Sequence, residues 1–485
     1  MNRAVSGLLA AAAVGACSRP AAQTTDPTAA RVERIVAGLR PAVVVNGRPP
    51  AKYELAQRMQ HYKLPGVSIA VADSGRIVWA GGFGVKEAGT SDSVTPTTLF
   101  EAGSISKPVA ATAMLRLVQE GKLDLDTDVN TYLKSWKVPE NRFTARERVT
   151  LRRIVSHNAG LTVHGFPGYK TTDSIPTVPQ LLDGAKPANT GPVRVDTLPG
   201  AIWRYSGGGT TVMQLLLADV TGESFPALSK RLVLDPAGMA NSTYEQPLPP
   251  ALHQQASAAH GPDGAMLPGR WHIYPEMAAA GLWTTPTDLL QWAIAIANAR
   301  AGTSDKLLAK DIATQMLTVQ KAATGLGPFL EGSGRGFNFG HGGSDEGFHA
   351  QLIYFPETGQ GAAVMVNSDG GQSMLQEVVY AVAAEYGWPD YGPREITAIP
   401  VDSVAMDRFV GTYELTKPFP VTITVSREGT RLVIESRFTG ESEAIFTTPD
   451  RVTVIDAGFD FEFMLDDTGR ATAIGAEGIK ALRKK

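Results

Sequence analysis

Cysteine is almost missing from this chain: Cys17 is the only one in 485 residues, so no disulfide can form within it. Long apolar runs are missing too. The stretch Leu8 to Val14 falls far short of the ~20 residues that a membrane-spanning helix needs. Charge is sparse, with 19% charged residues and a formal net charge of -3. No basic block, alone or interleaved with aromatics, is present, which argues against nucleic acid as a partner. The eight histidines are scattered, without H-E-x-x-H or paired cysteines, so no metal is expected. Neither is any other cofactor. No G-x-S-x-G nucleophile elbow occurs, which disfavours an α/β-hydrolase. Internal repeats and long low-complexity tracts are also absent.

What is present is an ordinary globular composition, 43% hydrophobic, in a chain long enough for two or more domains. The first residues read as a secretory leader. Arg3 gives a small positive region, Leu8 to Val14 an apolar one, and Val14-Gly15-Ala16-Cys17 places small residues before the cysteine. This segment resembles a bacterial lipobox, in which Cys17 becomes the lipidated N-terminus; the other reading is a simple Ala-x-Ala-type cleavage. Lipidation of Cys17 predicts an exported, periplasmic protein anchored to the membrane through its lipid, with residues 18–31 as a flexible tether. The oligomeric state is not legible.

Beyond the tether, 32–39 and 53–62 read as helical. Gly66 to Ala72 and Ile77 to Ala80 are β-rich runs joined by Asp73-Ser74-Gly75, a hairpin. Apolar positions Val109, Ala113, Leu117 and Val118 recur at helical spacing over 104–120, and Gly121 ends that helix. Further helices are predicted at 211–219, 287–299 and 374–386, and strands at 351–355 and 361–367. Strands, many helices, then strands again fit an α/β (α+β) unit over 32–386, in which both ends of the chain build one antiparallel sheet flanked by helices. After a Pro-rich linker at 387–400 the character changes. The runs 421–425, 432–434, 452–455 and 459–465 alternate with polar turns and predict a small all-β barrel or sandwich over 401–485.

Three short motifs carry chemistry. Ser104-Ile105-Ser106-Lys107 enters the helix from a loop, and a spacing of three puts Ser104 and Lys107 on one face. A serine hydroxyl needs an adjacent base to become a nucleophile, and the helix N-terminus favours developing negative charge. Tyr205-Ser206-Gly207 follows a Pro-Gly turn, where the phenol could relay the Ser104 proton. His341-Gly342-Gly343-Ser344 lies beside the strand at 351–355; its glycines permit close backbone approach, and its histidine titrates near neutrality. Each motif alone is common, and a packed or surface role explains any one of them.

Together and in this order they resemble the serine β-lactamase and penicillin-binding protein superfamily, most closely its class C-like branch of esterases and D-amino-acid peptidases. Ser156-His157-Asn158-Ala159-Gly160-Leu161 is similar to the S-H-T-A-G-L element of that branch, Asp235 to Met239 to its P-L-G-M segment, and Ala280 to Asp288 to its G-G-L-x-S-T-x-x-D segment. The resemblance spans residues 50–386 and implies a β-lactamase/transpeptidase-like fold. It implies that Ser104 is acylated and that Lys107 and Tyr205 handle its proton, without deciding which is the base. It further implies that His341 stands where the family has the lysine of K-T-G. Gly343 and Ser344 complete that motif, and the N–H groups of Ser104 and Ser344 form the oxyanion hole.

Two departures narrow the substrate. With histidine for lysine, the positive charge at 341 should fade above about pH 6.5. Gly207 replaces the asparagine of Y-x-N, which removes a partner for an acyl amide. Both changes favour a serine hydrolase of esters or of D-amino-acid amides and peptides. A β-lactamase or DD-carboxypeptidase, or a non-enzymatic penicillin-binding or cell-wall-sensing lipoprotein, are the alternatives. A small molecule or short peptide is the expected substrate. Ser156-His157-Asn158 is formally an S-x-N rival to Tyr205, with His157 read as a buried structural residue. His164, the Trp271 to Trp283 segment and a surface loop at 166–198 are expected near the site entrance.

Overall fold

A computed structural model describes residues 27–415, 421–436, 439–476 and 479–484. Cys17 and the expected leader lie outside the described residues. The chain begins with α1 (Pro27–Val36) and α2 (Leu55–His61). The first starts earlier and ends sooner than the periodicity predicts, because Leu39 leaves the helix to pair with Tyr53 in an isolated bridge.

The hairpin forms as β1 (Gly66–Asp73) and β2 (Arg76–Gly84). It is joined late in the chain by β3 (Phe329–Glu331), β4 (Asn338–Asp345), β5 (Phe348–Phe355) and β6 (Gln360–Val366). The order is β2-β1-β6-β5-β4-β3, antiparallel throughout. Both ends of the unit therefore meet where β1 pairs with β6, Val67 opposite Val366. β1 reads Gly-Val-Ser-Ile-Ala-Val-Ala and is buried along almost all of its length, as a central strand covered on both faces must be. One face packs on α7 (Gln372–Tyr386) through Ile69, Val71, Val364, Val378 and Val382.

The helical insertion covers the other face. Its elements used below are α3 (Ser106–Gln119), α4 (Gly207–Thr221), α5 (Met277–Ala280) and α6 (Pro286–Ala301). α4 begins four residues before its predicted start, across three glycines. The Ser206 hydroxyl accepts the Gly209 N–H at 2.9 Å, and an N-cap of this kind offsets the poor helix propensity of glycine by about 1 kcal/mol. The expected surface loop at 166–198 is a built structure. Tyr169–Lys170 pairs with His272–Ile273, a helix spans Val178–Asp183, and Tyr169, Leu181, Ala188 and Ile273 form a small core of their own.

The C-terminal strands β7 (Gly411–Leu415), β8 (Val421–Glu428), β9 (Arg431–Ser436), β10 (Gly440–Phe446), β11 (Arg451–Val454), β12 (Asp460–Leu465), β13 (Ala471–Ala476) and β14 (Ile479–Arg483) close into a barrel, not a sandwich. Phe409, Tyr413, Val425, Ile434, Phe446 and Phe463 fill its interior. The barrel is tied to the first unit by charge and backbone. Arg58 of α2 reaches Glu377 of α7 through Nε at 2.8 Å and Asp456 of the barrel at 3.0 Å, all three buried. The Val43 N–H donates to the Ile455 carbonyl at 3.1 Å. Among the described residues no helix is long and apolar enough to cross a membrane, and no cluster of His, Cys, Asp and Glu could hold a metal.

Candidate active site

Ser104 lies in a 3-10 turn, Gly103–Ile105, that runs directly into α3, and not in the first α-helical turn as the spacing suggests. The turn continues into α3 without a break, so Lys107, three residues on and in the helix's first turn, lies on the same side as Ser104. Its Nζ donates to Ser104 Oγ at 2.9 Å and to the carbonyl of Ala279 in α5 at 2.7 Å. Lys107 is buried and its Nζ lies 4.9 Å from the centre of the Tyr205 ring. Among the described residues no carboxylate is within ion-pair distance of it. Its partners are a hydroxyl, a carbonyl and a π face, and its nitrogen stands within proton-transfer reach of the serine oxygen.

Tyr205 sits between aromatic neighbours. Its ring centre is 4.2 Å from that of His157, 4.9 Å from His164 and 6.1 Å from His341. The phenol oxygen is buried and has no hydrogen-bond partner, so the expected bond to Ser104 is not formed in this state. His157 straps the segment from behind: its carbonyl accepts the Arg204 N–H at 2.7 Å and its Nδ1 accepts the Ser206 N–H at 3.3 Å. The structural reading of His157 therefore holds. The S-x-N rival does not reach the cleft, because Ser156 Oγ is spent on the Arg152 carbonyl at 2.6 Å and on Asn158 at 3.1 Å.

His341 corrects one expectation. Burial, aided by the nearby Lys107 charge, pushes its pKa down to about 3, so it carries no charge at any pH near neutrality. Its ring stacks on Phe329 at 4.7 Å, Nδ1 bonds the Gly342 carbonyl, and the buried Nε2 has no partner. With the Nδ1 proton on that carbonyl, Nε2 presents a lone pair. The site thus holds an acceptor where a lysine would supply a cation.

The backbone around Ser104 explains two glycines. Gly103 has φ +51°, and a Cβ there would stand 2.4 Å from the Ser344 nitrogen; a Cβ on Gly343 would stand 1.9 Å from the Ala102 carbonyl oxygen. Only glycine lets the turn bearing Ser104 lie against β4, bringing the Ser104 and Ser344 backbones together. A third glycine, Gly207, is the first residue of α4. A Cβ there would meet the Phe166 ring at 2.9 Å and the His164 carbonyl oxygen at 3.1 Å, so the room an asparagine side chain would need is occupied by a phenyl ring.

These residues line one cleft of about 1030 Å3. It gathers Ser104, Lys107, Tyr205, His341, Gly343 and Ser344, and also His164 and Phe166. Of the Trp271 to Trp283 segment only Ala279 and Ala280 line it; both tryptophans are core residues packed edge to face at 5.2 Å. Sequence reasoning missed Phe329, three buried carboxyls near Lys107 and α5, and a hydroxyl–imidazole pair. Burial raises the carboxyls of Glu101 and Asp345 well above the usual range, and that of Glu276 to about 8. The pair is Ser344 Oγ with His349 Nδ1, 2.7 Å apart. Only the i, i+5 proximity of Ser344 and His349 across a tight turn offered a signal.

The family model described as beta-lactamase matches residues 54–385. A curated relative, the unguisins hydrolase ungD of Aspergillus violaceofuscus, is 25% identical over 382 residues, 67% of this chain and 63% of that protein. The chain spans about half the length of the curated relatives it matches, between 43% and 63%. Among solved structures, the octameric penicillin-binding protein homologue from Pyrococcus abyssi superposes with TM-score 0.61 at 21% identity, over 88% of this chain and 98% of that one. The D-amino acid amidase from Ochrobactrum anthropi SV3 superposes with TM-score 0.55 at 21% identity, over 67% and 93%. With the S-x-x-K serine, the tyrosine and the H-G-G-S strand gathered in one cleft of that fold, the chain belongs to the beta-lactamase family.

Proposed function

We propose that this protein is a serine hydrolase that forms an acyl-enzyme on Ser104 and acts on esters or on D-amino-acid amides and peptides. The observation that carries the reading is the 2.9 Å contact between Ser104 Oγ and Lys107 Nζ inside the cleft. Ser104 Oγ attacks the substrate carbonyl while its proton passes to the Lys107–Tyr205 pair. The N–H groups of Ser104 and Ser344 hold the oxyanion. The pair then protonates the leaving alcohol or amine, and water releases the acyl group by the same steps in reverse.

Two features support neutral substrates over β-lactams and free C-terminal peptides. Both of the latter carry a carboxylate, and the uncharged His341 offers it no cation. Of the other basic side chains on the cleft wall, Lys107 is turned to Ser104 and the Ala279 carbonyl, and Arg204 is paired with Asp196. Gly207 with Phe166 replaces an amide-binding position by an apolar one. The hydrolase and amidase names among the similar proteins agree with this class of reaction.

The test is a hydrolysis panel of a p-nitrophenyl ester, a D-alanyl amide and nitrocefin, with Ser104→Ala as control. Turnover of the first two, lost in the variant, is expected. A burst without turnover would instead identify an acylated sensor, and a clear preference for nitrocefin would refute the substrate assignment. Export and lipidation of Cys17 are proposed on the leader motif; labelling by an alkyne fatty acid that survives Cys17→Ala would reject them.

A further inference from the structure

The cleft does not end at Ser104. It continues across the face of β4 and β5 opposite His341, under the first turn of α7, to the barrel. Its second arm is lined by Ser344, Gln351, Gln372, Gln376, Ala457 and Phe459. The barrel part is preorganised. In the turn between β11 and β12 the Gly458 N–H donates to the Val454 carbonyl at 2.8 Å, and the Val454 N–H to the Phe459 carbonyl at 2.9 Å. This fixed turn holds out the Phe459 ring, which is 42% exposed.

No unpaired charge lines this arm among the described residues, since Asp456 is tied to Arg58. The side chains of Gln351 and Gln372 make no hydrogen bond to the described protein, and that of Gln376 makes one, to Tyr391 at 3.2 Å. Each primary amide both donates and accepts. Ser344 is held by one partner. Its partner His349 is buried and turns Nε2 toward Asp369, 3.6 Å away. Nδ1 and the Ser344 hydroxyl share one hydrogen bond at 2.7 Å, and the hydroxyl keeps further capacity toward the cleft. Beside them, residues 341–345 of β4 extend past the stretch that β3 pairs, and the turn bearing Ser104 lies against Gly343 and Ser344.

We propose that this arm is a second subsite that binds an uncharged peptide chain of the substrate, its amides meeting Gln351, Gln372 and Ser344 and an apolar side chain resting on Phe459. The inference rests on the hydrolase reading and deepens it from bond type to substrate length: the natural substrate is a peptide with several residues beyond the cleaved bond, not a lone D-amino-acid amide or a short ester.

The experiment compares kcat/KM for a short reporter ester or amide with the same reporter lengthened by two to four alanines, at the acyl end and at the leaving end separately. A matched series is lengthened by sugar units. A gain of tenfold or more from alanines at one end, carried by KM, is expected, together with little gain from sugars. Phe459→Ala and Gln372→Ala should lower the long-to-short selectivity ratio about tenfold, whereas a purely structural disturbance would lower both rates and leave the ratio intact. No gain from peptide at either end, or a gain from sugars alone, overturns the subsite while leaving the hydrolase reading in place. If the short reporter is not cleaved at all, the hydrolase reading fails. The subsite is then judged by calorimetric binding of acetyl-tetraalanine amide to the full chain, where equal affinity for wild type and Phe459→Ala rejects it.

Discussion

At the scale of single residues, burial decides which groups carry charge. His341 and His349 are held neutral, with pKa values pushed down to about 3 and about 4. An imidazole depressed in the folded state contributes stability that is complete above its unfolded value of about 6.5 and is lost as pH falls toward the folded value. The urea midpoint should therefore drop between pH 6.5 and 4, and less so in a His349→Gln variant. The pH profile of kcat/KM above pH 5 should show no ionisation from His341, so His341→Gln keeps the wild-type shape; a limb near pH 6 that vanishes in this variant would contradict the assignment. The residues legible in the sequence were those whose partners are near in the chain. Ser104 and Lys107 are three apart and His341 to Ser344 are contiguous. Phe329, Phe166 and the carboxyls of Glu101, Glu276 and Asp345 owe their places to packing between distant segments, which local spacing does not encode. The charge at 341 was misread for the same reason: a histidine's pKa is set by its surroundings.

At the scale of elements, the site depends on a turn and a strand lying in contact. Gly103→Ala places a methyl group against the Ser344 nitrogen and forces alanine into a left-handed conformation. It should lower kcat at least a hundredfold, the effect of disturbing one oxyanion donor, about 3 kcal/mol. Rates near wild type would show that the turn can move without harm. Gly207→Asn restores the residue of the family's usual motif into space held by Phe166. It should bring no nitrocefin turnover and a lower melting temperature, whereas Gly207→Asn with Phe166→Ala relieves the contact. Nitrocefin turnover in the single variant would mean that the ring yields. Helices and central strands were readable because apolar spacing marks them. The ends shifted where a tertiary contact intervened: Leu39 left α1 to pair with Tyr53, and the Ser206 cap drew three glycines into α4. The segment at 166–198 looked like a bare loop because its core is only four side chains drawn from separated positions.

At the scale of the whole molecule, the barrel is a wall of the cleft, and Arg58 is its buried fastening to the first unit. Removing one partner of a buried ion pair typically costs about 3 to 5 kcal/mol, so Arg58→Ala should lower the unfolding free energy by that order in urea. Because Asp456 and Phe459 share one turn, it should also raise KM for lengthened substrates more than for short ones. A loss below about 1 kcal/mol would show that the backbone pairing at Val43 is the stronger tie. An all-β C-terminal unit was evident from alternating runs, but its place beside the active site was not, because Arg58 and Asp456 are far apart in the chain.

The sheet order also sets a timetable. At about 5 to 20 residues per second, the ribosome delivers Ser344 some 12 to 48 s after Ser104. β1 waits longer for its partner β6, about 15 to 60 s at the same rate, and the turn that presents Phe459 emerges later still. Throughout that interval a growing chain holds its serine and lysine without the strand that packs against their turn. Under the proposed mechanism, reactivity is withheld from every unfinished copy, and a chain cut short before β4 would be inert.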